Sequence, residues 1–221
     1  MMNDTRILET TTKMQEYLLE YGPARVRLLL QVIRQLAHGH PITAEQVDYL
    51  IADLGIAKDQ AHQFLREVTE RDATDQIVGA MGLSLSDHPH RLSVAGVSLS
   101  AWCALDTLFL PALLQQTVTI ESPSPVTNHS IRLRVSPERV EEVTPEAAVV
   151  SFVLADPSRE NMDSVQAIWS AFCNHVHFFA SREEGEQWAN GRDDIVLLTV
   201  EEAFASERQV WSRVFPDLYA A

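Results

Sequence analysis

Two cysteines and one aspartate are the residues of this 221-residue chain best suited to chemistry. Cys103 stands in Ala101-Trp102-Cys103-Ala104-Leu105-Asp106-Thr107-Leu108, with a carboxylate three positions beyond the thiol. Cys173 opens the alternating run Cys173-Asn174-His175-Val176-His177, followed by Phe178-Phe179. Thiolates bind soft metals and act as nucleophiles, and a neighbouring carboxyl can move a proton. A helix over Ala101–Leu114 would place Cys103 and Asp106 on one face at i and i+3, where the helix N-terminus favours a thiolate. The plainer reading keeps Cys103 as a small buried apolar residue and Asp106 as a helix-start carboxylate.

If the second segment is a strand, Cys173, His175 and His177 share a face, which suggests a zinc or copper site. Three ligands on one strand spread over about 13 Å at ~3.3 Å per residue, too far to close on one ion. Cys173 meeting Cys103 in space is the easier geometry, and hydrogen-bonded framework histidines are the plainer one. His38, His40, His88 and His90 sit in turns and read as solvated surface residues. Phosphate-binding glycine loops, Gly-x-Ser-x-Gly elbows and His-Glu-x-x-His pairs do not occur, which leaves nucleotide-dependent and serine-hydrolase chemistry unsupported.

The remaining composition bounds the setting. A net charge of −14, from 17 basic and 31 acidic residues, repels nucleic-acid phosphates and anionic lipid. No run of apolar residues reaches membrane-spanning length, and Met1–Arg6 shows no secretion leader, so no nucleic-acid partner, no membrane and a cytoplasmic location are expected. In a reducing cytoplasm two thiols 70 positions apart stay free.

Two segments are expected to position these groups. Residues 1–96 read as a winged-helix-like domain: helices over 24–37, from the Thr43/Gln46 capping box to about 54, and 58–69, then a hairpin of Ile77–Leu85 and Arg91–Val94. The second and third helices carry only Lys58 and Arg66 against six acids, unlike a DNA-reading helix. Residues 97–221 read as an α+β core with a mixed or antiparallel sheet. Its expected strands are Val118–Glu121, Ile131–Val135, Ala148–Leu154, His175–Ala180 and Ile195–Val200. Its expected helices are Ala101–Leu114, kinked or ended by Pro111, then a helical or mixed Met162–Cys173, Arg182–Asn190 and Glu202–Val214.

The block from Ala101 to Leu113 and the block Ser170-Ala171-Phe172-Cys173 with His175–Ser181 resemble the signature of the alkylmercury (organomercurial) lyases of bacterial mercury resistance. Arg132–Pro137, Val140–Pro145 and Val200-Glu201-Glu202-Ala203-Phe204 are similar to that family as well. The resemblance covers about residues 77–205 and implies that Cys103, Cys173 and Asp106 carry out carbon–mercury bond protonolysis. The two thiolates would hold mercury, with Asp106 close to it as proton donor. It further implies a winged-helix-like domain that does not bind DNA, no cofactor, small thiols as product acceptors, and transfer of Hg(II) to a mercuric reductase. One departure is visible: many family members have a third, structural cysteine where this chain has Glu121–Pro125. Two other readings stay open. One is a non-catalytic soft-metal binder or sensor using Cys103, Cys173 and His175 or His177. The other is a thiol hydrolase pairing Cys103 with one of those histidines.

Overall fold

The computed structural model describes residues 2–52, 54–154 and 164–219. Four helices lead: α1 (Met2–Glu20), α2 (Pro23–Leu36), α3 (Ala44–Ile51) and α4 (Lys58–Val68). Pro23 opens α2 directly after Gly22, which turns the chain at φ +79°. Thr43 and Gln46 cap α3 reciprocally, side chain to backbone in both directions. Ala61, Phe64, Leu65 and Val68 form the buried stripe of α4, as their spacing predicts.

Strands β1 (Thr69–Arg71), β2 (Ile77–Ala80), β3 (Leu83–Ser84), β4 (His90–Val94) and β5 (Val97–Ala101) follow, and then helix α5 (Asp106–Leu114). Next come β6 (Val118–Pro123), β7 (Ser130–Val135), β8 (Val140–Thr144), β9 (Val149–Val153) and α6 (Val165–Ala171). The chain closes with β10 (Phe178–Phe179), α7 (Arg182–Ala189), β11 (Ile195–Thr199) and α8 (Val200–Val214). Among the described residues eight strands form one antiparallel sheet in the order β1-β2-β3-β5-β4-β6-β7-β8, and three form a second, β10-β9-β11. The class is α+β. Residue 96, the expected domain boundary, is the tip of the β4–β5 hairpin, so one sheet spans both segments.

The structure corrects three local expectations. Ile77–Leu85 does not pair with Arg91–Val94. Met81 and Gly82 take positive φ, folding the run into the tight β2–β3 turn, while β4 pairs with β5 and β6. The helix expected from Ala101 starts at Asp106, because Ala101 ends β5 by pairing with both Leu83 and His90. Cys173–His175 form a 3-10 turn, leaving only Phe178–Phe179 as strand, so Cys173, His175 and His177 do not share a strand face. Of the expected Met162–Cys173 helix, Val165–Ala171 is helical, and Met162 and Asp163 lie outside the described residues.

Helix α5 decides where the site sits. All nine of its residues are buried, and beyond Asp106 and Thr107 it is apolar on every side, so its N-terminal end is held inside the core rather than at the surface. Each fully buried leucine there contributes about 1.5–3 kcal/mol relative to exposure, which makes the helix expensive to move.

Candidate active site

Cys103 lies in the turn from β5 to α5. Four hydrogen bonds define that turn. The Trp102 amide donates to the Gly82 carbonyl at 2.9 Å, and the Cys103 amide to Asp106 Oδ2 at 2.7 Å. Thr107 Oγ1 donates to the Ala104 carbonyl at 2.7 Å, and the Ala104 amide to the Val176 carbonyl at 3.2 Å. Cys173 begins the turn after α6, closed by the Val176 amide on its own carbonyl at 3.2 Å. Ser151 of β9 holds the far side of that turn, donating through Oγ to the His175 carbonyl and accepting from the His177 amide, both at 2.9 Å.

These frames bring Cys103 Sγ, Cys173 Sγ and an Asp106 carboxylate oxygen within 4.8 Å of one another. Exposure of the three residues is 0, 4 and 8% respectively. Gly82 makes the approach possible: a Cβ there would lie 2.3 Å from Asp106 Cγ, and its φ of +83° strongly favours glycine.

Burial sets the protonation states. Desolvation pushes the Cys103 thiol well above its ordinary range, helped by its hydrogen bond to Cys173 and the Asp106 charge. At Cys173 the hydrogen bond from Cys103 favours the thiolate, but burial and Asp106 outweigh it and the pKa still rises. Desolvation lifts Asp106 to about 6, against the opposing hydrogen bonds from the Cys103 thiol and amide. The resting site is therefore two thiols beside a carboxyl that gains or loses its proton just below neutrality.

A cavity of about 130 Å³ opens beside this cluster. Asp106 and Cys173 face it, together with Trp102, Phe109, Phe172 and Trp211, and α1 adds Met14 and Leu18. Cys103 is not among the lining residues, so it stands behind the other two.

The comparisons with known proteins bear on this site. The alkylmercury lyase family model matches residues 83–211, a span holding both cysteines and the aspartate. An alkylmercury lyase of Staphylococcus epidermidis is 41% identical over 188 residues, 84% of this chain and 82% of that protein. One of Bacillus cereus is 36% identical over 213 residues, 95% of this chain and 93% of that protein. The chain belongs to the alkylmercury lyase family. Its fold is also similar to a solved mercury-bound form of MerB2, with TM-score 0.76, 25% identity, and coverage of 93% of this chain and 99% of that one.

The histidines and aromatics of this lyase are placed as follows. Neither His175 nor His177 joins the cluster: His175 Nδ1 faces Arg192 Nη1 at 3.3 Å and His177 Nε2 meets the Asn174 carbonyl at 3.0 Å. His90 is not a surface residue. It is buried against Ser122 Oγ at 2.8 Å, and desolvation holds its pKa near 3, so it is a neutral framework group. His88 is half-buried with Nε2 3.3 Å from Glu70 Oε2. Glu70 also accepts from the Trp102 indole at 3.0 Å and Ser84 Oγ at 2.7 Å, which fixes the ring that walls the cavity. Phe178 and Phe179 pack in the core, whereas Trp102 lines the cavity.

In the Glu121–Pro125 region, Ser124 Oγ donates to Glu184 Oε1 at 2.6 Å, and Thr127 donates to the same oxygen. Glu184 Oε2 accepts from the Ala180 amide at 2.6 Å, so a carboxylate bonded on both oxygens ties that loop to the start of α7. Sequence reasoning missed Gly82 and Glu207. A glycine between Met81 and Leu83 carried a turn signal that was available; Glu207, one acid in a mixed helix, carried none. Among the described residues no helix is long and apolar enough to cross a membrane.

Proposed function

We propose that this lyase cleaves the carbon–mercury bond by protonolysis, with Cys103 and Cys173 holding mercury and Asp106 carrying the proton. The observation that supports it is the approach of two thiols and a carboxyl to within 4.8 Å at the edge of an apolar cavity. Mercury is soft and prefers thiolate to oxygen and nitrogen ligands. The organic group is apolar, and cavities of about 150 Å³ lined by hydrocarbon hold molecules of benzene size.

In the proposed order of events the cavity-facing thiol acts first. Cys173 meets R–Hg–X first; its sulfur replaces X, and X leaves with the thiol proton as HX. Cys103 then bonds to the same mercury and gives its proton to the Asp106 carboxylate, its hydrogen-bonded neighbour. Protonated Asp106 delivers that proton to carbon as the Hg–C electron pair becomes the C–H bond. R–H leaves, Asp106 is again a carboxylate, and Hg(II) stays between two sulfurs. Two external thiols exchange onto mercury and return one proton to each cysteine. No cofactor enters, and a mercuric reductase is the fitting recipient of the thiol-bound Hg(II).

Methane or benzene release from methylmercury or phenylmercury, with excess small thiol, tests the reading. Turnover by the parent and none by Asp106→Ala supports it. Tight mercury binding without hydrocarbon release by the parent would make the protein a soft-metal binder instead.

A further inference from the structure

Glu207 is a carboxyl of the cavity that the reaction above does not use. It sits on α8, is 8% exposed and lines the same cavity as Asp106 and Cys173. Its Oε2 accepts the indole N–H of Trp211 at 2.9 Å, one helical turn on. Among the described residues no cation pairs with it and no second hydrogen bond is made to it, and the side chain is part of the cavity wall. A buried carboxyl with one N–H donor and no counter-charge is cheapest in its neutral form. Desolvation accordingly raises Glu207 to about 8, with the nearby Asp106 charge adding to the rise. A neutral carboxyl with one oxygen already accepting has an O–H to donate.

We infer that Glu207 is a specificity-determining residue of the organic-group site, donating a hydrogen bond to organomercurials whose organic group carries an ether, hydroxyl or carbonyl oxygen. Beyond Asp106 and Cys173 the wall is predominantly apolar and aromatic; Tyr17 and Tyr21 line it too, but their hydroxyls are bonded to each other at 2.8 Å, so an oxygen placed against the apolar wall would lose its water without replacement. Glu207 gives such an oxygen one partner. It leaves purely hydrocarbon groups to the apolar wall.

The inference rests on the lyase reading, and a matched substrate pair separates the two. Butylmercury and 2-methoxyethylmercury have organic chains of equal length and differ by one CH₂ replaced by oxygen. The quantity of interest is the ratio of their kcat/KM values, which cancels effects common to both. Relative to the parent, Glu207→Leu is expected to lower the methoxyethyl-to-butyl ratio by about tenfold, chiefly through KM. Glu207→Gln, which keeps an N–H donor, is expected to hold the ratio within about threefold. Glu207→Ala is a second apolar variant, and thermal unfolding of each shows which are folded. An unchanged ratio in the folded apolar variants would overturn the inference, as would equal losses of kcat on both substrates. If the parent releases no hydrocarbon from either compound, the lyase reading fails. Equilibrium binding of the same pair, read by tryptophan fluorescence, then decides on Glu207 by the same ratio.

Discussion

The Ala104 amide donates to the Val176 carbonyl at 3.2 Å, joining the residue after one cysteine to the residue three beyond the other. Val176 in turn bonds back to Cys173, so the two thiol-bearing turns share one backbone bridge. Their separation is set by main-chain geometry instead of by side-chain rotamers alone. A pair held this way needs little rearrangement to grip one ion from two sides.

Asp106→Asn keeps the shape and an acceptor for the Cys103 amide but cannot move a proton. Mercury capture should persist, while hydrocarbon release falls by about 10²–10⁴-fold, the usual contribution of a positioned acid or base. Single-turnover assays with separate binding and gas-release readouts check this.

The two thiols should fail differently. Cys103→Ser leaves the cavity-facing thiol, so phenylmercury should form a one-to-one adduct on Cys173 without benzene. Cys173→Ser leaves only the recessed, more strongly protonated thiol, and adduct formation should slow by about tenfold or more. Intact-mass spectrometry over time distinguishes the two. Equal capture rates would remove Cys173 from its place as first ligand.

Lowering pH through about 6 protonates Asp106 before it can take the Cys103 proton, so turnover should fall along that limb. Stability moves the other way. A carboxyl whose pKa is higher folded than unfolded still holds a proton that the unfolded chain has released. As pH rises from 3.8 to about 6 for Asp106, and from 4.5 to about 8 for Glu207, stability is therefore lost. Asp106→Asn and Glu207→Gln should each raise the melting temperature at pH 8.5 and change it little at pH 4. The upper bound for Asp106 is on the order of 3 kcal/mol. Thermal unfolding at the two pH values is the measurement.

Gly82→Ala should cost roughly 1–3 kcal/mol, since it forces a side chain into a left-handed backbone position. The new Cβ would also displace the Asp106 carboxyl, and turnover should drop on the order of 10²-fold while both thiols still titrate. Thiol titration, denaturation and hydrocarbon release together separate misplacement from unfolding.

The candidate site of Cys103, Asp106 and Cys173 was legible because those residue types and spacing are unusual, and the surrounding blocks resemble a known signature. Capping chemistry at Thr43 and the apolar stripe of α4 were legible because local rules decide them. Strand pairing was not. Ile77–Leu85 has the alternation of one long strand, and only the positive φ of Met81 and Gly82 makes it two. The Cys-x-His-x-His run looked like one face because alternation presumes a strand, while the Ser151 hydrogen bonds shape the backbone there into a turn. His90 looked solvated beside Pro89, and the β6 partner that buries it is distant in sequence. Glu207 was invisible for the same reason: its environment is assembled from α1, α5, α6 and α8.

The cavity draws Met14 and Leu18 from α1, Leu29 from α2 and Val68 from α4, while both thiols and the Asp106 carboxyl lie within residues 83–211. The N-terminal helices thus close one side of the cavity, while Trp102, Phe109, Glu207 and Trp211 of the same stretch as the thiols close the other. Substitutions at Met14, Leu18, Leu29 or Val68 would reshape the space for a carbon skeleton at positions remote in sequence from the two cysteines and the aspartate.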